Sequence, residues 1–370
     1  MKLERVAVRL LSLPLRRPFR TSFGSTSRKE FLLLSVHGEG VAGLGECVAE
    51  AKPDYLPETN QTALHILRDF LVPAIWALDL ARPEEIAAAF THVRGHEMAK
   101  AALEMAVWDL FARREGVPLS RLLGGDKSHI AAGVSIGLQE DEPALVARVE
   151  EAVAAGYRRI KIKIEPGHDR ALVEAVRRRF PAVALMVDAN SAYTLADVDT
   201  LAALDGYALT MIEQPLAHDD MVDHAALQRR LRTPLCLDES IHSAEDARRA
   251  LDIGACRVIN VKAGRVGGFA QSRKIAEHCR GRGAFVWCGG MLESGIGRLA
   301  NVHLQTLPGF TLPGDTSASA RYFDEDLVDP PVTVSKEGLV EVPRQPGLGH
   351  QVVWPRVDKA TQWKDEWRPG

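Results

Sequence analysis

From residue 130 onward the sequence repeats one pattern: a short apolar run, an amphipathic stretch, then another apolar run. The runs are IAAGVSIGL (130–138), RRIKIKI (158–164), AVALMVD (182–188), LTMIE (209–213), LCLD (235–238), RVINVK (257–262) and AFVWC (284–288). Between them, EPALVARVEEAVAAG, RALVEAVRRRF, SAEDARRALDIG and AQSRKIAEHCRG read as amphipathic helices. This alternation commits the chain to a parallel sheet, because parallel neighbours need a crossover and a helix supplies it. Seven runs, with a poorly marked eighth near Thr311–Leu312, fit an α/β fold closed as a (β/α)8-type TIM barrel better than an open sheet. No GxGxxG follows the first run, which removes the dinucleotide signature an open sheet would invite.

The preceding residues have another character. VAVRLLSLPL (6–15) and EFLLLSVHGEGVAGLGECV (30–48) read as an antiparallel meander with a tight turn at His37-Gly38-Glu39-Gly40. TNQTALHILRDFLVPAIWAL and AKAALEMAVWDLFARREG (99–116) follow as helices, the second ended by Gly116 and Val117-Pro118. Residues 1–125 are therefore expected to form an α+β capping domain, closed by Gly124-Gly125-Asp126, and 126–324 the barrel. The tail, 325–370, contains the strand-like PVTVSKEGLVEVP and is expected to pack back on the cap.

Charge and cysteine usage exclude several classes. A net charge of −3, with arginine clusters interleaved with acids, argues against a nucleic-acid partner. No apolar run approaches membrane length, and MKLERVAVRLLSLPL lacks a signal-peptide core, so a cytoplasmic protein with no membrane partner is expected. The five cysteines are odd in number and form no CxxC, which favours buried reduced thiols over disulfides or zinc.

The chemistry lies at the strand ends. In RRIKIKIEPG, Ile160, Ile162 and Ile164 alternate with Lys161 and Lys163, so two ammonium groups share one strand face. They belong either to a solvated edge or to a site that needs paired cations. The charges ending successive runs are Lys163, Asp188, Glu213, Asp238 and Lys262, spaced 25, 25, 25 and 24 residues apart. One βα unit per step puts them at the same height on the C-terminal rim, where barrel sites are built. Asp188 or Asp238 alone could cap the next helix. Three acids in succession instead form an oxygen cage that calls for a hard dication, Mg2+ or alternatively Mn2+. Lys163 and Lys262 flank the cage from opposite sides, and a cation plus Lys161 nearby would lower a lysine pKa enough to free a base. Such a site suits removal of a proton α to the carboxylate of a small-molecule substrate, giving an enediolate.

These segments, with VDANSAYTLAD, IEQPLAHDDMVDHA, TPLCLDESI, VINVKAGRVGG, WCGGMLESGIGR and LPGDTSASARY, make the chain resemble the o-succinylbenzoate synthase / N-succinylamino acid racemase group of the enolase superfamily. That group lies in the muconate lactonizing enzyme subgroup, and RPFRTSF and MAKAALEMAVWDL also look like family segments. The resemblance implies a (β/α)7β barrel, a homo-oligomer and a place in menaquinone biosynthesis. It implies Lys163 and Lys262 as acid/base residues and Asp188, Glu213 and Asp238 as magnesium ligands, supported by Asn190 and Glu239. Ser135, Lys161, Asn190 and Gly290-Met291-Leu292 match substrate-contacting segments, and Phe19 and Phe23 match a flap that closes over the substrate. The residues alone would make that loop an ordinary surface turn. Arg265 matches an arginine of racemase-competent members near Lys262, although by itself it reads as a surface residue. His168 in EPGHD departs from the tryptophan that relatives often carry. Alternatives are a muconate-type cycloisomerase or a dipeptide epimerase; the latter is disfavoured because Gly289-Gly290-Met291-Leu292-Glu293-Ser294 lacks an Asp-x-Asp pair. A non-catalytic metal-binding barrel is the reading from a different class, and it would leave both lysines without a purpose.

Overall fold

The computed structural model describes residues 1–21 and 24–370. Strands β1 (Arg5–Thr21), β2 (Gly24–Gly38) and β3 (Val41–Cys47) form the expected antiparallel meander. Its turn has Glu39 and Gly40 both at positive φ, 52° and 75°, as a two-residue hairpin requires. The β1–β2 hairpin runs further than the periodicity suggested, with Phe19, Arg20 and Thr21 paired to Thr26, Ser25 and Gly24. What the residues alone made a surface turn is thus the end of two paired strands. Those strands reach the barrel, where the Leu138 amide donates to the Arg20 carbonyl at 3.1 Å.

The long helix α1 (Glu97–Arg114) packs on β3, which carries glycine at the points of closest approach. A Cβ on Gly43 would lie 2.1 Å from the Ala106 carbonyl oxygen, and one on Gly45 2.0 Å from that of Ala102. Helix α1 is buried nearly all round because the barrel covers its other side: Trp108 meets Phe269 edge-on, ring centroids 6.2 Å apart.

Seven parallel strands then lie side by side in chain order: β4 (Gly133–Ile136), β5 (Arg159–Lys163), β6 (Leu185–Asp188), β7 (Ile212–Glu213), β8 (Leu235–Leu237), β9 (Val258–Val261) and β10 (Phe285–Cys288). Each falls inside one of the apolar runs. The eighth position forms no strand. Instead Phe310 bridges to Val286 of β10, and Gly314 bridges to Ala132 beside β4. One short segment thereby joins the two edges of the sheet, giving a modified TIM barrel under an antiparallel cap. The tail divides: Leu339–Glu341 pairs with His129–Ala131 just before β4, and β11 (Thr361–Trp367) adds to β1 as an outer strand of the cap sheet. Among the described residues no helix is long and apolar enough to cross a membrane.

Two buried acids of the cap fasten it to barrel helices. Glu104 of α1 accepts the Phe269 and Ala270 amides at 2.8 and 2.9 Å, at the start of helix α2 (Phe269–Gly281). Glu46 of β3 accepts the Ser294 and Gly297 amides at 3.0 and 3.1 Å, at the start of helix α3 (Gly295–Leu304). Both satisfy amides that a helix leaves unpaired at its N-terminus. Burial pushes each carboxyl up to about 7. A folded-state pKa above the unfolded value means that this contribution to stability is complete below about pH 4.5 and is lost as the pH rises through about 7. Glu104→Gln removes the titration. In urea unfolding at about pH 5 and about pH 8, the stability lost between them should be smaller than in the wild type by on the order of 3 kcal/mol. An unchanged difference would contradict this.

Candidate active site

Strand register sets the rim. Lys163 of β5 lies opposite Asp188 of β6, and Asp188 opposite Glu213 of β7. Asp238 and Lys262 are the first residues beyond β8 and β9. All five side chains are buried, none more than 8% exposed. Lys163 Nζ contacts Asp188 at 2.6 Å, Lys161 Nζ contacts Glu213 at 2.8 Å and Asp188 at 3.2 Å, and Lys262 Nζ contacts Asp238 at 2.7 Å. The lysine pair of β5 therefore faces inward, onto the acids.

The backbone around these groups is held in uncommon conformations. Asn190, Ser191, Gln214 and Leu292, all non-glycine, have positive φ at the ends of β6, β7 and β10. Strain of this kind persists where surrounding contacts over-determine a site. Asn190 shows how: its amide donates to Asp188 at 3.0 Å, its Oδ1 accepts Lys163, and its Nδ2 donates to Glu239 at 2.8 Å. Gly289 makes room for Lys262, since a Cβ there would lie 2.8 Å from its Cε.

The acids and ammonium groups of the rim shift one another. Burial would lower the pKa of Lys161, but Asp315, Glu213 and Asp188 outweigh it and hold the ammonium well above the ordinary lysine range. Burial likewise opposes the charge on Lys262, and Tyr55, Glu239 and Glu213 raise it above that range. Neither lysine is lowered here, because carboxylates outnumber cations around them. For Asp188, burial works against ionisation, yet Lys163 and Lys161 keep its carboxyl well below the usual carboxylate range. Burial and the charge of Asp188 push Glu213 the other way, upward.

These groups border a cavity of about 500 Å3 between barrel and cap. Lys161, Lys163, Lys262, Asp188, Asn190 and Ser135 line it from the barrel. Gly290, Met291 and Leu292 line it after β10, and Phe19 from the β1–β2 hairpin, where its ring meets Tyr322 edge-on at 6.5 Å. Phe23 lies outside the described residues. Glu213 and Asp238 sit behind the wall. Arg265 corrects the surface reading: it is wholly buried, does not line the cavity, and binds Asp238 Oδ1, the Ile241 carbonyl at 2.8 Å and Tyr55 at 3.2 Å. His168 is exposed beside Glu165 and does not reach the cavity.

Three side chains that border the rim acids and lysines were not singled out from the sequence. Tyr55 of the cap donates to Asp238 at 3.2 Å and accepts from Lys262 at 2.8 Å. Asn260 of β9 donates to Glu213 at 2.6 Å. Asp315, from the closing segment, accepts Arg159 at 2.5 Å, Ser135 at 2.9 Å and Lys161 at 3.2 Å. Arg159 and Lys161 in turn lie over the Trp287 ring, 4.5 and 4.8 Å from its centre. Asp315 follows a missing strand, and Tyr55 follows no periodic element at all. For Asn260 and Asp315 a usable signal existed: a polar side chain inside RVINVK, and an acid in LPGDTS at the height of the other strand ends.

Among the described residues, no three His, Cys, Asp or Glu side chains stand in a cluster that would hold a metal. Lysine ammonium groups instead lie against the carboxylates and carry the balancing charge. The donor chemistry still suits a hard dication. Every donor is oxygen, and Glu239 Oε2 and Asn260 Oδ1 are buried at the site without a partner.

A capped parallel barrel with its functional groups on the C-terminal rim defines the enolase type of architecture. Residues 5–124 match the mandelate racemase / muconate lactonizing enzyme N-terminal domain, and residues 144–356 the enolase C-terminal domain-like family. The chain belongs to the mandelate racemase / muconate lactonizing enzyme family of the enolase superfamily. It is 53% identical over 364 residues to an o-succinylbenzoate synthase of Geobacillus stearothermophilus, covering 98% of this chain and 97% of that protein. It is 46% identical over 364 residues to an N-succinylamino acid racemase of Thermus thermophilus, covering 98% of each. The crystal structure of an enolase-superfamily member from Listeria innocua superposes with a TM-score of 0.97 at 44% identity, covering 100% of this chain and 99% of that one.

Asp315 should matter to stability as well as to the site. Asp315→Asn leaves Arg159, 2% exposed, without its buried counter-charge. Urea unfolding should show a loss of about 3 kcal/mol with an unchanged m-value; a loss below about 1 kcal/mol would show that Trp287 and the Pro313 carbonyl satisfy Arg159 without Asp315.

Proposed function

We propose that the protein removes a proton α to a carboxylate and stabilises the resulting enediolate, acting as an o-succinylbenzoate synthase, an N-succinylamino acid racemase, or both. The observation that carries this reading is the opposed pair Lys163 and Lys262, both opening into one cavity and each seated on an acid of the β6–β8 rim. The names of the two full-length relatives agree with it. Residues 1–125 with the end of the tail serve as cap, and residues 126–324 as catalytic barrel.

Asp188, Glu213 and Asp238 would hold magnesium, or manganese, with Asn190 and Glu239 supporting them. The bound dication would neutralise the substrate carboxylate and so acidify its α-hydrogen. The chain's own residues do the rest. Lys163 Nζ takes the proton from one face of the substrate. In the synthase reaction Lys262 stays an ammonium and steadies negative charge on the enediolate while the Lys163 ammonium gives its new proton to the hydroxyl, which leaves as water. In the racemase reaction Lys262 returns a proton to the opposite face. Tyr55 and Arg265 orient Lys262 and Asp238, and Phe19 with the β1–β2 hairpin keeps bulk water from the intermediate. Five buried free thiols suit the cytoplasm, where they stay reduced.

A dipeptide epimerase would need a carboxylate free to receive the substrate's amino terminus. Glu293 is buried and accepts Asn301 at 2.8 Å, while Asp315 is taken by Arg159, Lys161 and Ser135. Neither is available, which leaves only the cap-side acids of the described lining, such as Glu50, for that role.

Lys163→Ala and Lys262→Ala should each lower racemisation of N-succinyl amino acids by at least about 100-fold, a general acid–base contribution. The synthase reaction should fall in parallel. Polarimetry with each purified variant decides the matter, and substantial racemisation by either one rules out the two-base scheme.

A further inference from the structure

The cavity has a second wall, built by β2 and the segment after β3. It brings three cations to the described lining, Arg28, Lys29 and Lys52. Arg28 and Lys52 are exposed, and Arg28 is turned away onto Ser12 through Nε at 3.0 Å. Lys29 differs from both, because it is only 1% exposed and yet forms part of the wall. Its ammonium donates to the Val48 carbonyl at 3.3 Å and to Glu50 Oε1 at 3.4 Å. Charge-assisted contacts of this type are usually about 2.7–2.9 Å, and the lysines of the barrel wall reach 2.6–2.8 Å to their carboxylates. A buried ammonium with two long contacts and three donors still has hydrogen-bonding capacity to spend.

Nothing in the proton chemistry uses Lys29. Its wall is nevertheless locked to the catalytic side: a Cβ on Gly264, two residues past Lys262, would lie 2.3 Å from Cγ2 of Val48, whose carbonyl receives Lys29. We propose that Lys29 receives a second carboxylate at the far end of the substrate, with Glu50 as the internal counter-ion that this carboxylate replaces. The site thereby selects acids whose acyl arm itself ends in a carboxylate, as a succinyl arm does, over those with a neutral arm. This rests on the function proposed above and goes on to assign the residue that reads the arm. A substrate bearing a cation instead would be drawn to Glu50.

The test compares kcat/KM for the N-succinyl and N-acetyl forms of one amino acid, read as α-hydrogen exchange in deuterium oxide. In Lys29→Met the succinyl-to-acetyl ratio should fall by about 10- to 100-fold, the worth of a charged hydrogen bond, with the loss in KM and not in kcat. Glu50→Gln frees the ammonium and should move the ratio the other way by lowering KM for the N-succinyl form, so it decides the matter even if Lys29→Met does not fold. Exchange of both substrates by the wild type, with the ratio unmoved in the folded variants, overturns the subsite alone. A ratio that rises in Lys29→Met overturns it too. No exchange of either substrate by the wild type overturns the racemase reading and this subsite with it; the proton chemistry itself falls only if the synthase substrate is not turned over either.

Discussion

Carboxylates buried on three neighbouring strands cannot all keep their charge unless positive charge stands among them. At about 4 Å, two like charges near a protein surface repel by roughly 4 kcal/mol, and Asp188, Glu213 and Asp238 lie deeper than that. The lysines on β5 and beyond β9, with Arg265, meet the need, and much of the site follows from it. Lys161 and Lys262 are held as ammonium groups, Asp188 is kept ionised, Asn260 and Asn190 take up oxygen atoms that the cations leave over, and Tyr55 shares with Lys262 one oxygen of Asp238. A dication bound among these acids would take over the balancing charge and release the lysines, which would suit proton transfer beside a carboxylate.

The cap is more than a cover. It supplies Phe19, Tyr55 and Lys29 to the cavity, while Glu46 and Glu104 fix its position by accepting the first amides of two barrel helices. One of those helices follows the strand that leads to Lys262, and the other follows the Gly290–Leu292 turn. A rigid cap seat therefore bears on both Lys262 and the Gly290–Leu292 side of the cavity. The glycines of β3 serve the same seat from the other side, because without them α1 could not come close enough to carry Glu104.

The periodic parts of this design were legible in the sequence. Each βα unit is about 25 residues long, so acids and lysines at strand ends share a height before any coordinate is known. The closing eighth segment was poorly marked because isolated bridges at Phe310 and Gly314 need no apolar run. Asp315 was overlooked for the same reason. Tyr55 and Lys29 come from the cap, and no local pattern announces that a cap residue will reach the barrel mouth. Arg265 read as a surface residue because burial of a guanidinium depends on partners far away in the chain, here Tyr55 and Asp238.

The most direct measurement of the central claim is anomalous diffraction from crystals grown with manganese. A single anomalous peak between the carboxylates of Asp188, Glu213 and Asp238, with Lys161 and Lys262 withdrawn from the acids they now touch, is the predicted result. A map with no peak there, and those lysines still on Glu213 and Asp238, would contradict the account.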